Sequence, residues 1–345
     1  MIFLSADYLE GCHPAILERL KQTNDEQTVG YGQDPYCEKA ASCLRDIFDC
    51  PDADVHFLIG GTQTNTVVIS SILHPYQGVI CPQYGHINQH EAGAVEATGH
   101  KVIPLESHGG KILPAQISVT SALQMDDEHN VMPGMVYLSE ATELGTVYNL
   151  AELRDIAHTC RQLGLYLYID GARLGYGLAS AFNDMKPSDI AKYCDIFTVG
   201  GTKQGALFGE AVIIMNPVLK SGFRRSMKQR GAMLAKGRLL GIQFMTLFED
   251  GLYFSLAHKA VDQAMRILDA LKEHNIPQLS NSSTNQLFPI FTDEQSAILE
   301  KDFVLSAWER TDGSHTAYRL CTSWATPDSN VDAFIKALDK IPASK

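Results

Sequence analysis

The chain has 345 residues, of which 45% are hydrophobic and 20% charged, enough for two domains and a sizeable core. A formal net charge of −12 argues against nucleic-acid binding, because a phosphate backbone would be repelled. No apolar stretch reaches the length of a membrane span, and the start, MIFLSADYLEG, lacks the basic and apolar segments of a signal peptide, so a cytoplasmic protein is expected.

Residues 1–30 read as an arm: turn-rich DYLEGCHP, then a short helix in AILERLKQT. From there to about residue 250 helix and strand patterns alternate. EKAASCLRDIFDC has helical spacing, DVHFLIG is a compact apolar strand, and TQTNTVVISSIL returns to helix. GMVYLSE reads as a strand. NLAELRDIAHTCRQLG puts Leu150, Leu153, Ile156, Ala157, Cys160 and Leu163 on one stripe, with Asn149 as N-cap and Gly164 as stop. LYLYID and CDIFTVG follow as nearly all-apolar strands. Such alternation predicts a mostly parallel sheet with helices on both faces. Residues 251–345 change pattern: a long helix from about 255 to 274, strands at FPIF, VLSAWER and AYRLCTSW, and a closing helix, NVDAFIKALDKI. Asp312-Gly313 is a good hairpin turn between the last two strands. A smaller α+β domain is expected there. The eight cysteines are scattered with no C-x-x-C pair, and read as small hydrophobes in a reducing compartment.

The residues with chemical potential cluster at strand ends. Asp170 closes the strand in YIDGAR, and Lys203 follows another in GGTK, among Gly200, Gly201, Gly205 and Ala206. Ligands of open α/β sheets bind at the carboxyl ends of strands. A lysine in a dry pocket becomes available as a nucleophile, able to form a Schiff base with an aldehyde cofactor. A carboxylate facing a pyridine nitrogen keeps it protonated, a role that suits Asp170. The alternative is a capped turn and a surface pair. Gly60-Gly61-Thr62 joins a strand to a helix and offers backbone N–H groups and a hydroxyl to an anion, or else is an ordinary turn. It is neither G-x-G-x-x-G nor a Walker loop, so both nucleotide fingerprints fail. QYGHINQHEAGA offers His86, His90 and Glu91, and the two histidines, four apart, could share a helix face as metal ligands. The spacing matches no zinc-hydrolase motif and lacks a third ligand, so no metal is expected, and stacking an imidazole on a flat ring is the better use. Basic residues crowd FRRSMKQRGAMLAKGR, where one or two could reach a phosphate and the rest face solvent or a partner. Arg319, mid-strand, suits a carboxylate held by two parallel hydrogen bonds, or a structural ion pair.

In order along the chain, EGCHPAIL, YGQD, GGTQTN, GHINQHEAGA, TELGTVY, IDGARLGYG, GGTKQGALFGEAV, KQRGAMLAKGRLLGIQF and RLCTSWAT resemble the threonine aldolase family of pyridoxal-phosphate lyases. The resemblance implies the aspartate-aminotransferase-like fold type I. It implies pyridoxal 5'-phosphate on Lys203, with Thr202 beside it, phosphate on Gly61 and Thr62, His86 stacked on the ring and Asp170 at its nitrogen. Arg173 and Arg319 would meet the substrate carboxylate, and Tyr31 and Lys236 would serve the neighbouring subunit of a homodimer or homotetramer. The implied reaction cleaves a β-hydroxy-α-amino acid to glycine and an aldehyde. β-Elimination, transamination or cofactor binding without catalysis are the alternatives on the same scaffold. Two positions depart from the family. Glu143 stands near the substrate hydroxyl where histidine is usual, and Ala6 precedes Asp7 where serine or asparagine is usual, leaving Ser5 as the nearest hydroxyl.

Overall fold

The computed structural model describes residues 1–343. Seven strands form the main sheet: β1 (Asp54–Leu58), β2 (Gln77–Pro82), β3 (Lys101–Leu105), β4 (Met132–Ser139), β5 (Tyr166–Asp170), β6 (Ile196–Gly200) and β7 (Glu210–Ile214). Their order across the sheet is β1-β7-β6-β5-β4-β2-β3. The pairs from β3 to β6 are parallel, whereas β7 runs antiparallel to both β6 and β1. The expected mostly parallel sheet is therefore present. The sequence reading named four of its strands; β2, β3 and β7 complete it.

The apolar runs follow from burial on both faces. Alternate residues enter different cores: Val136, Leu138, Leu167, Ile169 and Phe197 pack on one side, Met135, Tyr137, Tyr168 and Ile196 on the other. Each fully buried Val, Leu or Ile contributes roughly 1.5–3 kcal/mol. The helix Leu150–Leu163 forms as its sequence predicts. The Asn149 side chain accepts from the Glu152 N–H, Glu152 returns the bond to Asn149 N–H, and Gly164 closes the helix with φ at +68°. Just beyond the basic segment, the helix Arg238–Phe248 is continuously buried from Leu240 to Phe248.

A third core lies under the last hundred residues. It unites Ile267 and Leu271 of the helix Leu252–Glu273, Phe291, Leu320 and Phe334. Strands β8 (Ser306–Arg310) and β9 (His315–Cys321) make the predicted hairpin, with a bulge between Ala307 and Glu309. The Asp312 carboxylate accepts from the N–H groups of Ser314 and His315 and so holds its turn. The start of the chain belongs to this core as well: Ile2–Phe3 pairs in parallel with Phe303–Val304, and Leu4 is fully buried. Among the described residues no helix is long and apolar enough to cross a membrane.

Candidate active site

Five strand ends converge on one edge of the sheet. Leu58 of β1 leads to Gly60 and Gly61, Pro82 of β2 to His86, and Ser139 of β4 to Glu143. Asp170 ends β5 and is followed by Arg173, and Gly200 of β6 leads to Lys203. The glycines about Lys203 permit this convergence. A Cβ on Gly171 would lie 2.0 Å from the carbonyl oxygen of Thr198, and one on Gly200 would lie 2.5 Å from that of Ala172. Backbone thus packs on backbone, and Asp170 and Lys203 line one narrow cavity with His86 and Gly61. The Tyr176 hydroxyl donates to the Lys203 carbonyl at 2.6 Å and fixes the turn. The Lys203 amine makes no ion pair among the described residues, although it is half-buried.

A buried polar network orients the cavity wall. Asp170 Oδ2 accepts from the Tyr137 hydroxyl at 2.7 Å and from Asn65 Nδ2 at 3.1 Å, while its Oδ1 accepts from the Ala172 N–H. Asn65 also donates to Glu91 Oε1 at 2.7 Å and accepts from the Tyr168 hydroxyl at 2.6 Å. Glu91 Oε1 accepts in turn from His86 Nδ1–H at 2.8 Å, which fixes the imidazole plane and leaves Nε2 toward the cleft. Glu143 Oε1 accepts from the His86 N–H and the Ser139 hydroxyl, but its Oε2 is buried without a partner. Burial pushes the Glu143 carboxyl above its ordinary value, against the opposing bonds from Ser139 and His86. Below Lys203, burial pushes Glu210 up to about 8, with the Lys203 charge opposing it.

The cavity opens into a cleft of about 560 Å³ lined in part by Tyr84, His86, Glu143, Arg173, Trp308 and Arg319. Arg173 presents Nε and Nη2 to the Asp7 carboxylate at 2.7 and 2.9 Å, and its Nη1 makes no protein hydrogen bond among the described residues. Arg319 has no carboxylate partner among them. Its Nη2 donates to the Ser5 carbonyl at 3.2 Å, and its Nε is buried and unpaired. An unpaired buried N–H is costly unless a ligand satisfies it.

The structure brings Gly61, His86, Glu143, Asp170, Arg173, Lys203 and Arg319 together as the sequence suggested. Others lie apart. Thr62 faces a neighbouring hollow that it lines with Gln63 and with Arg230, a member of the basic cluster. The Thr202 hydroxyl stays within its turn, accepting from Gly209 N–H and donating to Glu210. Ser5 meets Arg319 through its carbonyl, not its hydroxyl. Tyr31 is 45% exposed and lines a separate small cavity; its N–H donates to Ala235, beside exposed Lys236. The sequence reading offered Glu91 only beside the two histidines, and it missed Asn65, Tyr137 and Asp7 as working parts. An asparagine inside an apolar helix and a tyrosine inside an apolar strand were the available signals, since each needs a polar partner when buried.

Residues 4–294 match the family described as beta-eliminating lyase, and the chain belongs to that family. A low specificity L-threonine aldolase of Pseudomonas sp. (strain NCIMB 10558) is 35% identical over 260 residues, covering 74% of this chain and 73% of that protein. A solved structure of Leishmania major threonine aldolase matches with a TM-score of 0.97 at 44% identity, over 99% of both chains. Cystalysin from Treponema denticola, whose structure contains a pyridoxal 5'-phosphate cofactor, shares the fold at a TM-score of 0.73 and 19% identity, over 99% of this chain and 90% of that one. The architecture is therefore that of the type I fold.

Proposed function

We propose that this chain cleaves L-threonine or L-allo-threonine, or another β-hydroxy-α-amino acid, to glycine and an aldehyde with pyridoxal 5'-phosphate. The observation that carries the reading is Lys203, without an ion pair among the described residues, set in a narrow cavity with Asp170 and His86 that opens toward Arg319, whose buried Nε has no partner. The site fits the cofactor. Gly60 and Gly61 leave open space where a Cβ would stand, at the start of the helix Gly61–Ile72, so its N–H groups can approach a phosphate closely.

When bound, the cofactor supplies an aldehyde for the substrate amine and a ring that withdraws electrons from the breaking bond. Asp170, held by Tyr137 and Asn65, would keep a proton on the ring nitrogen, and His86, oriented by Glu91, would cover the ring. Arg319, with Nη1 of Arg173, would hold the substrate carboxylate and so orient the Cα–Cβ bond that breaks. Glu143, through its free Oε2, accepts the β-hydroxyl proton as the aldehyde leaves. Lys203 would hold the cofactor between turnovers and carry a proton at its amine. The chain acts as a homodimer or a pair of dimers in which Tyr31 and Lys236, remote from their own cleft, serve the neighbouring one.

Glycine and acetaldehyde released from threonine by wild type, and not by Lys203→Ala, is the expected result. A second reading, β-elimination, is favoured by the family's description. Pyruvate and ammonia from serine or cysteine, with no aldehyde from threonine, would establish it instead. Bound cofactor with no turnover of any amino acid would leave a binding protein.

A further inference from the structure

Outward from Arg319 the cleft becomes aromatic. Strand β8 carries one more residue than β9 between Ala307 and Glu309, and that residue is Trp308. A bulge re-aims the side chain of its extra residue out of the strand's alternation. The Trp308 ring meets the edge of Phe288 at 5.2 Å and the Arg319 guanidinium at 5.7 Å. Phe288 is fully buried, so the indole is anchored on the smaller sheet. From the other side of the cleft comes His90, just beyond the short helix His86–Gln89, with its ring 5.7 Å from Trp308 and inclined by 57°. Burial, aided by the charges of His86, Arg319 and Arg173 and opposed by Glu91, lowers the His90 pKa and keeps the imidazole neutral. The two rings therefore make a continuous angled wall with an apolar surface. Trp308 remains only half-buried and lines the cleft together with Tyr84.

We propose that Trp308 and His90 are specificity-determining residues, forming an aromatic wall against which the β-substituent of the substrate packs. This rests on the reading that Arg319 takes the carboxylate. The Arg319 guanidinium lies against the indole, so a carboxylate held there brings the group on Cβ, two carbons further, within reach of the wall. A flat unsaturated β-substituent gains ring contacts that a methyl cannot make.

The test uses the holoenzyme and two unreactive acids, 3-phenylpropanoate and butanoate, which carry a phenyl and a methyl at Cβ and no amine. Calorimetric titration is expected to give about tenfold tighter binding of the phenyl acid, corresponding to about 1.4 kcal/mol. Trp308→Ala is expected to bring the ratio of the two affinities down to about twofold. Trp308→Phe should keep most of it, and His90→Ala should lower it part-way. Because Trp308 also braces Arg319, both acids weaken in Trp308→Ala, but the ratio isolates the wall. Should Trp308→Ala fail to fold, Trp308→Phe and His90→Ala carry the comparison. A ratio near one in wild type, or one unchanged in Trp308→Ala and His90→Ala, overturns the proposal. The underlying reading fails separately, if Arg319→Met binds both acids as well as wild type does.

Discussion

Replacing Asp7 by alanine removes one half of a buried ion pair. The Asp7 side chain is fully buried and that of Arg173 is 11% exposed, with bonds of 2.7 and 2.9 Å between them and a third to Asp7 from Asn285 at 2.9 Å. Removing one partner of such a pair costs about 3–5 kcal/mol, mostly because the other charge is left desolvated and alone. At about 2 °C per kcal/mol for a chain of this size, Asp7→Ala should melt roughly 6–10 °C below wild type at pH 7. The double variant Asp7→Ala/Arg173→Met buries no charge and should recover at least half of that loss. Burial would raise the Asp7 pKa, but the charge and hydrogen bonds of Arg173, with Lys203 and Asn285, outweigh it and hold the carboxyl below its ordinary 3.8. Its stabilising contribution is therefore present above pH 3.8 and lost as pH falls further, so the wild type and Asp7→Ala curves should converge in acid. Thermal melts of the three proteins by circular dichroism at pH 7 and pH 3 test this. A loss under about 1 kcal/mol for Asp7→Ala, or no recovery in the double variant, would refute the reasoning.

Glu143 accepts a proton only when ionised, so kcat/KM should rise with pH through its raised pKa. Glu143→Gln should remove that limb and lower kcat roughly 10²–10⁴-fold; an unchanged acid limb would point to another base. Glu140 is fully buried with Oε1 unpaired, and burial, opposed by the Tyr148 N–H, pushes it up to about 8. The native state holds that proton more tightly than the unfolded chain does, so stability falls from about pH 4.5 up to about pH 8. Glu140→Gln should thus stabilise at pH 8–9 by up to a few kcal/mol and little at pH 4, as urea titrations at both pH values would show. A Cβ at Gly61 meets nothing within 4 Å, so Gly61→Ala should fold within about 1 kcal/mol of wild type yet bind the cofactor about tenfold more weakly. Unchanged affinity by absorbance titration would move the phosphate elsewhere.

What the sequence revealed followed from local rules. The Asn149–Glu152 capping box and Gly164 bounded a helix correctly because caps act within one turn. The all-apolar strands announced a sheet covered on both faces, and Lys203 and Asp170 stood out as charges at strand ends. The partners were less legible. Nothing in DVHFLIG tells that β1 lies beyond an antiparallel β7, since both directions use the same apolar residues. The Asp7–Arg173 bond spans 166 residues and the Asn65–Asp170 bond spans 105, distances over which one sequence carries no pairing signal. Trp308 reads as an ordinary strand residue, because a bulge depends on register with the partner strand.

Lys203 can be interrogated directly. Borohydride reduction of the holoenzyme, followed by digestion and peptide mass mapping, should yield one peptide with a pyridoxyl addition, the one that contains Lys203. A stable addition on another lysine, with Lys203 unmodified, would contradict the account.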